Sequence, residues 1–185
     1  MLQTERRQYL IRKLLAEQSR FAGMQIPGDE HEQRRLLRTL FNIRPPRPAD
    51  GAFLEIQDAY LQEEIRRKGV TDIADLQPVQ EGLYLWQGDI TTLKCGAIVN
   101  AANSTLLGCF VPCHACIDNA IHTYSGIQLR AACAQVMERQ GRREETGGAK
   151  ITPAFNLPCD SVLHTVGPII TRQVTARDAA LLASC

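Results

Sequence analysis

The sequence predicts an α/β fold led by a helical segment, and three observations carry that prediction. Up to about residue 70 apolar residues recur at helical spacing, whereas from Leu83 onward short apolar runs alternate with helical ones. Ala97-Ile98-Val99 is short and apolar, as a strand covered on both faces should be. Asn100-Ala101-Ala102-Asn103 follows directly, at the carboxyl end of that strand, where open α/β sheets bind their ligands.

Residues 2–20 read as an amphipathic helix, with Leu2, Tyr9, Leu10, Leu14 and Leu15 repeating among Arg, Lys and Glu. Pro27 and the glycines at 23 and 28 break it, and Asp29 is placed to cap a second helix running to about Phe41. The prolines at 45, 46 and 48 remove backbone donors and stop regular structure. A third helix is expected from Ala52 to Lys68, ending at Gly69. Strands follow at Leu83–Gln87 and Ala97–Val99, then a helix from Ile117 to Arg139 whose buried stripe would be Ile121, Leu129, Ala132, Val136 and Met137. Ala149–Ala154 and Ser161–Val166 are further strands, and another helix begins near Thr175 or Arg177. The domains expected are a helical extension over residues 1–80 and an α/β unit over 81–185.

With 185 residues the chain has room for one domain with a helical appendage, and its hydrophobic share of 44% is ordinary for a globular protein. A formal net charge of +1 argues against a nucleic-acid surface. The chain lacks both an apolar run of membrane-spanning length and the apolar core of a signal peptide. The cysteine count is 7, which is odd, and with the local clustering of Cys and His it favours reduced thiols and a metal over disulfides. A cytoplasmic location, no membrane and no nucleic-acid partner are therefore expected.

The chemistry concentrates between Gly88 and His122. Cys109, His114 and Cys116 offer two thiolates and one imidazole at spacing that suits a single tetrahedral metal, with a fourth position open as in catalytic zinc sites. Ordinary burial of small thiols, or redox signalling, would also account for these cysteines. Cys113 and His122 are the remaining possible ligands. Asp118 stands two residues after Cys116 and one helical turn before His122, as a water-directing carboxylate or a helix cap. Asn103 can donate and accept without changing charge, which suits a ribose diol or simply a turn. Gly147 and Gly148 permit a left-handed turn.

Taken together, these pieces resemble the macrodomain family, in particular its zinc-containing branch. Gly88-Asp89-Ile90-Thr91 resembles the family's adenine-side turn, and Asn100 to Asn103 its ribose-side Asn motif. Gly108-Cys109, four residues, then His114-Ala115-Cys116 is the mark of the zinc branch, standing where other members carry a run of glycines. Ile117-Asp118 to Ile121-His122, Gly147-Gly148-Ala149-Lys150 and His164-Thr165-Val166-Gly167-Pro168 continue the pattern. The likeness runs from about Leu83 to the end, and the leading segment resembles that branch's N-terminal extension.

The resemblance implies a three-layer α-β-α macrodomain with a mixed central sheet, acting as a protein-ADP-ribose hydrolase with a Zn2+ cofactor held by Cys109, His114 and Cys116. Asp89 and Ile90 would bind the adenine end of ADP-ribose and Asn103 the distal ribose, with Asn103 and Asp118 as the catalytic pair. The substrate would be an ADP-ribosylated protein, and the chain would act as a monomer. A non-catalytic ADP-ribose-binding module is the alternative, and a structural zinc module a third reading. Against the family the chain lacks the later strands and the second phosphate-binding loop. It is therefore expected to be C-terminally truncated, poorly soluble and nearly inactive.

Overall fold

The computed structural model describes residues 1–185, and its elements follow the change of period seen in the sequence. Helix α1 (Gln3–Ala16), α2 (Glu30–Ile43) and α3 (Gly51–Lys68) make up the leading segment. Each starts or stops where local chemistry dictates. Asp29 accepts a hydrogen bond from the Glu32 N–H and Asp50 from the Phe53 N–H, satisfying donors that a helix start leaves orphaned. Gly69 ends α3 with φ at 87°, a value that needs no Cβ. The three helices bury Leu10, Ile11, Leu14, Leu37, Leu40, Phe53 and Leu61 in one core. Arg44, just past α2, forks onto Glu17 and caps the proline turn through the carbonyls of Arg47 and Pro48.

Short pairings link this segment to the sheet. Strand β1 (Thr71–Asp72) pairs in parallel with β4 (Leu93–Lys94), and β2 (Pro78–Gln80) pairs antiparallel with β3 (Leu83–Tyr84). The strand expected at Leu83–Gln87 is thus shortened to two residues. It sits in a small hairpin with exposed side chains rather than in the central sheet.

That central sheet is mixed, in the order β5 (Ala97–Ala101), β7 (Ser161–Thr165), β6 (Ala149–Pro153). The parallel β5–β7 pair sets Val99 opposite Leu163, and the antiparallel β6–β7 pair sets Ile151 opposite the same residue. Ile98, Asn100, Val162 and His164 point inward, as the two-residue period requires. Helices α4 (Ile117–Ser125) and α5 (Ile127–Gln140) cover that face, and the leading helices pack beyond them. On the other face Val99 is 54% and Ile151 61% exposed, so β5 is covered on one face only. A last helix, α6 (Ala176–Ser184), is capped by Thr175. No helix is long and apolar enough to cross a membrane.

The single helix expected from Ile117 to Arg139 is two. Gly126 divides them at φ 95°, and a Cβ there would come within 2.7 Å of Gln57 Nε2. Gln57, from α3, accepts from the Ile127 N–H at 3.0 Å and supplies the first turn of α5 with a partner. The break is therefore set by a residue distant in sequence. The two units expected from the sequence also share packing, because Ile127 lies in the core of the leading helices and Ile65 of α3 lies in the sheet core.

Candidate active site

The loop joining β5 to α4 leaves the carboxyl end of the sheet, and the candidate residues gather there. The donor atoms of Cys109, His114 and Cys116 all lie within 4.8 Å of one another, with His114 exposed and both cysteines half-buried. Two sulfurs and one imidazole at that separation fit a tetrahedral zinc, with the exposed side left for a fourth ligand. Burial pushes the Cys116 thiol up, and the neighbouring Cys109 sulfur pushes it further, which a bound cation would reverse. The Cys116 sulfur accepts from the Asn119 N–H at 3.4 Å, so Cys116 rather than Asp118 caps α4.

Asp118 is buried in the first turn of α4, and Asn100 Nδ2 donates to its Oδ1 at 2.8 Å. Burial raises the Asp118 pKa above the ordinary carboxylate value, opposed by that hydrogen bond and by the charge of Arg130. His122 Nε2 lies 3.5 Å from the same carboxylate oxygen, and burial holds the imidazole neutral by lowering its pKa well below the usual value. Gly108 packs against the His122 ring, at φ 79° and with no room for a Cβ. Behind them His164 is satisfied on both nitrogens, by Asn100 Nδ2 at 3.1 Å and Thr152 Oγ1 at 2.9 Å.

The Macro domain family pattern matches residues 99–185, which contain the loop, α4 and all of the sheet but the start of β5. A protein-ADP-ribose hydrolase of Treponema medium is 60% identical over 188 aligned positions, covering 100% of this chain and 72% of that protein. The chain belongs to the macrodomain family. A protein-ADP-ribose hydrolase of Staphylococcus aureus (strain MSSA476) is 45% identical over 182 positions, covering 97% of this chain and 68% of that protein. A Trypanosoma brucei macrodomain solved in complex with ADP superposes with a TM-score of 0.50 at 28% identity, covering 75% of this chain and 62% of that one.

Within this macrodomain the predicted residues are not all in one place or one state. Cys109, His114, Cys116 and Asp118 converge on the loop and the helix that follows it. Asn103 forms an Asx turn, with Oδ1 accepting from the Thr105 N–H at 2.9 Å and Nδ2 donating to the Gly108 carbonyl at 3.1 Å. Asp89 and Ile90 stand on a separate 3-10 turn, where Asp89 accepts from the Thr91 N–H and pairs with Lys68 Nζ at 2.8 Å. Of the two further ligands considered, Cys113 instead faces Thr39 Oγ1 and the Arg35 carbonyl. His122 sits with Cys133 and His164 in a second, fully buried group.

Several residues of the site were not found from the sequence. The Asn motif contains Asn100 but does not reveal its partnership with Asp118; the alternation Ile98, Asn100 along β5 is the available signal. Arg130 is buried and donates to the Leu107 carbonyl at 2.7 Å and to the Phe41 carbonyl at 3.1 Å, while stacking on Phe110. Burial lowers its pKa to about 10, so it stays charged at neutral pH. Arg38, Asn42 and Asn119 also reach the loop. For Arg38 and Asn42 no local pattern marks the role, because their loop partners lie seventy or more positions away.

Proposed function

We infer that this chain acts as a protein-ADP-ribose hydrolase, binding protein-linked ADP-ribose and releasing ADP-ribose from the modified side chain. The observation that carries this reading is Asp118, a buried carboxylate aimed by Asn100 and lying two residues from the Cys109–His114–Cys116 donor set. The two bacterial hydrolases support it; because the chain spans 72% and 68% of their lengths, the activity of the whole is part of the proposal.

The roles follow from the chemistry of each side chain. Cys109, His114 and Cys116 would hold one zinc ion, which supplies Lewis acidity that lowers the pKa of water or a sugar hydroxyl. Asp118, with its raised pKa, is suited to orient a water and take its proton as the bond between ribose and protein breaks. That water's oxygen ends on the ribose, and the proton goes to the departing side chain. Asn103, exposed at the mouth of the loop, can offer its amide to the distal ribose. Asp89 keeps lone pairs free beside its Lys68 and Thr91 contacts for the adenine amino group, next to the Ile90 N–H. The cysteines are all free thiols, in keeping with a cytoplasmic setting.

Release of labelled ADP-ribose from an ADP-ribosylated protein tests the reading. A version extended to the length of these hydrolases should release label in a multiple-turnover reaction, and Asp118→Ala in it should abolish release. Binding of free ADP-ribose without any release would replace the hydrolase by a non-catalytic reader.

A further inference from the structure

Helix α2 belongs to the leading segment, yet its side chains hold the loop that carries the proposed metal ligands. Arg38 Nη2 donates to the carbonyl of His114, itself one of those ligands, at 3.0 Å. The same guanidinium donates to Asn119 Oδ1, at 2.8 Å from Nη2 and 3.2 Å from Nε. Asn119 in turn donates to the Val111 carbonyl at 3.0 Å, so one chain of bonds runs from α2 through α4 to the loop.

Asn42, one helical turn further along α2, acts on the adjacent residue. Its Oδ1 accepts from the Cys113 N–H at 2.9 Å, and its Nδ2 donates to Thr123 Oγ1 at 2.9 Å. Cys113 stands at φ 52°, a left-handed conformation that a side-chain-bearing residue seldom adopts. Such a backbone persists when its surroundings over-determine it. Here the partner of Cys113, the residue immediately before His114, is the fully buried Asn42 amide with both ends occupied.

We propose that Arg38 and Asn42 are positioning residues for the metal loop, holding the backbone at Cys113 and His114 so that the three donors stand converged before a metal arrives. This rests on the zinc reading above and deepens it: the leading helices are a working part of the metal centre. Groups that orient metal ligands commonly change affinity by about 10–100-fold when lost.

The test is zinc affinity of the full chain, measured by competition with a chromogenic chelator, together with hydrogen exchange at the Cys113 and His114 amides. Asn42→Ala and Arg38→Ala should each weaken zinc about 10-fold or more and speed exchange at those amides. Leu14→Ala is the control, because it loosens the core of the leading helices without touching the loop. It should leave both readouts near the wild-type values. Should Asn42→Ala fail to fold, as judged by circular dichroism, the half-buried Arg38→Ala carries the test. Wild-type zinc affinity in the loop variants, or an equal loss in Leu14→Ala, would overturn the proposal alone. A wild-type chain that binds no zinc would remove the metal reading and this inference together, so the two failures are told apart.

Discussion

Asn100 donates its side-chain amide to the Asp118 carboxylate at 2.8 Å, with both residues buried. One strand residue therefore aims the candidate catalytic carboxylate, and the cost of burying that carboxylate is only partly offset by the bond. Function and stability should oppose each other at this position.

Asp118→Asn tests that opposition. The amide oxygen can still accept from Asn100, while the buried charge and the proton acceptor are lost. Turnover should fall about 10²–10⁴-fold, and the midpoint of thermal unfolding should rise by the equivalent of about 0.5–2 kcal/mol. Equal turnover would remove Asp118 from the chemistry, and a lower midpoint would refute the argument about burial.

A second prediction concerns acid. Burial lowers the His164 pKa to about 4, and the Asn100 and Thr152 contacts satisfy its neutral form. The unfolded chain then binds more protons than the folded one, so stability is fully present above the ordinary His value of about 6.5. It should decline as pH falls from there towards 4, by up to about 3 kcal/mol for this group. His122 shifts in the same direction. Urea unfolding across this range should show the slope, and His164→Gln should flatten it.

Gly108 tolerates no side chain. A Cβ would stand 2.8 Å from the His122 ring, and φ is already 79°. Gly108→Ala should cost about 1–3 kcal/mol and displace the loop that follows. Reduced unfolding midpoint together with reduced zinc content is the expected pair of readings; an unchanged midpoint would contradict the close approach.

Zinc itself should be present at about one equivalent per chain, and Cys109→Ser should carry far less. Metal analysis after exhaustive dialysis gives the answer directly. A Cys109→Ser chain with undiminished zinc would exclude the proposed donor set.

The open face of the sheet yields a fifth expectation. Val99, Leu163 and Ile151 form one cross-strand row, and the outer two are more than half exposed. Exposed apolar rows on sheets promote association. Replacing Val99 and Ile151 by threonine, which keeps strand propensity, should raise the concentration at which the chain stays dispersed in light scattering. Unchanged scattering would show that this face is not what limits dispersion.

Much of this was legible along the chain. Helix starts at Asp29 and Thr175 and the stop at Gly69 lie where local hydrogen bonding and backbone freedom put them, because those signals act within one turn. The strands at 97–101, 149–153 and 161–165 follow from short apolar runs. The grouping of Cys109, His114 and Cys116 needed only a loop short enough to bring eight successive positions together.

Tertiary structure alone decided the rest. Gly126 divides α4 from α5 because Gln57 occupies the space and supplies the hydrogen bond, and no reading of the helix itself contains that neighbour. Cys116 takes the N-cap position of α4, and Asp118, inside the first turn, faces inward to Asn100. Arg38, Asn42 and Arg130 each have a backbone partner brought near by folding, and a backbone group leaves no mark in residue types. Periodicity and caps are local properties that a sequence displays directly; which distant polar groups meet depends on how the helices pack, and that is determined only when the whole chain has folded.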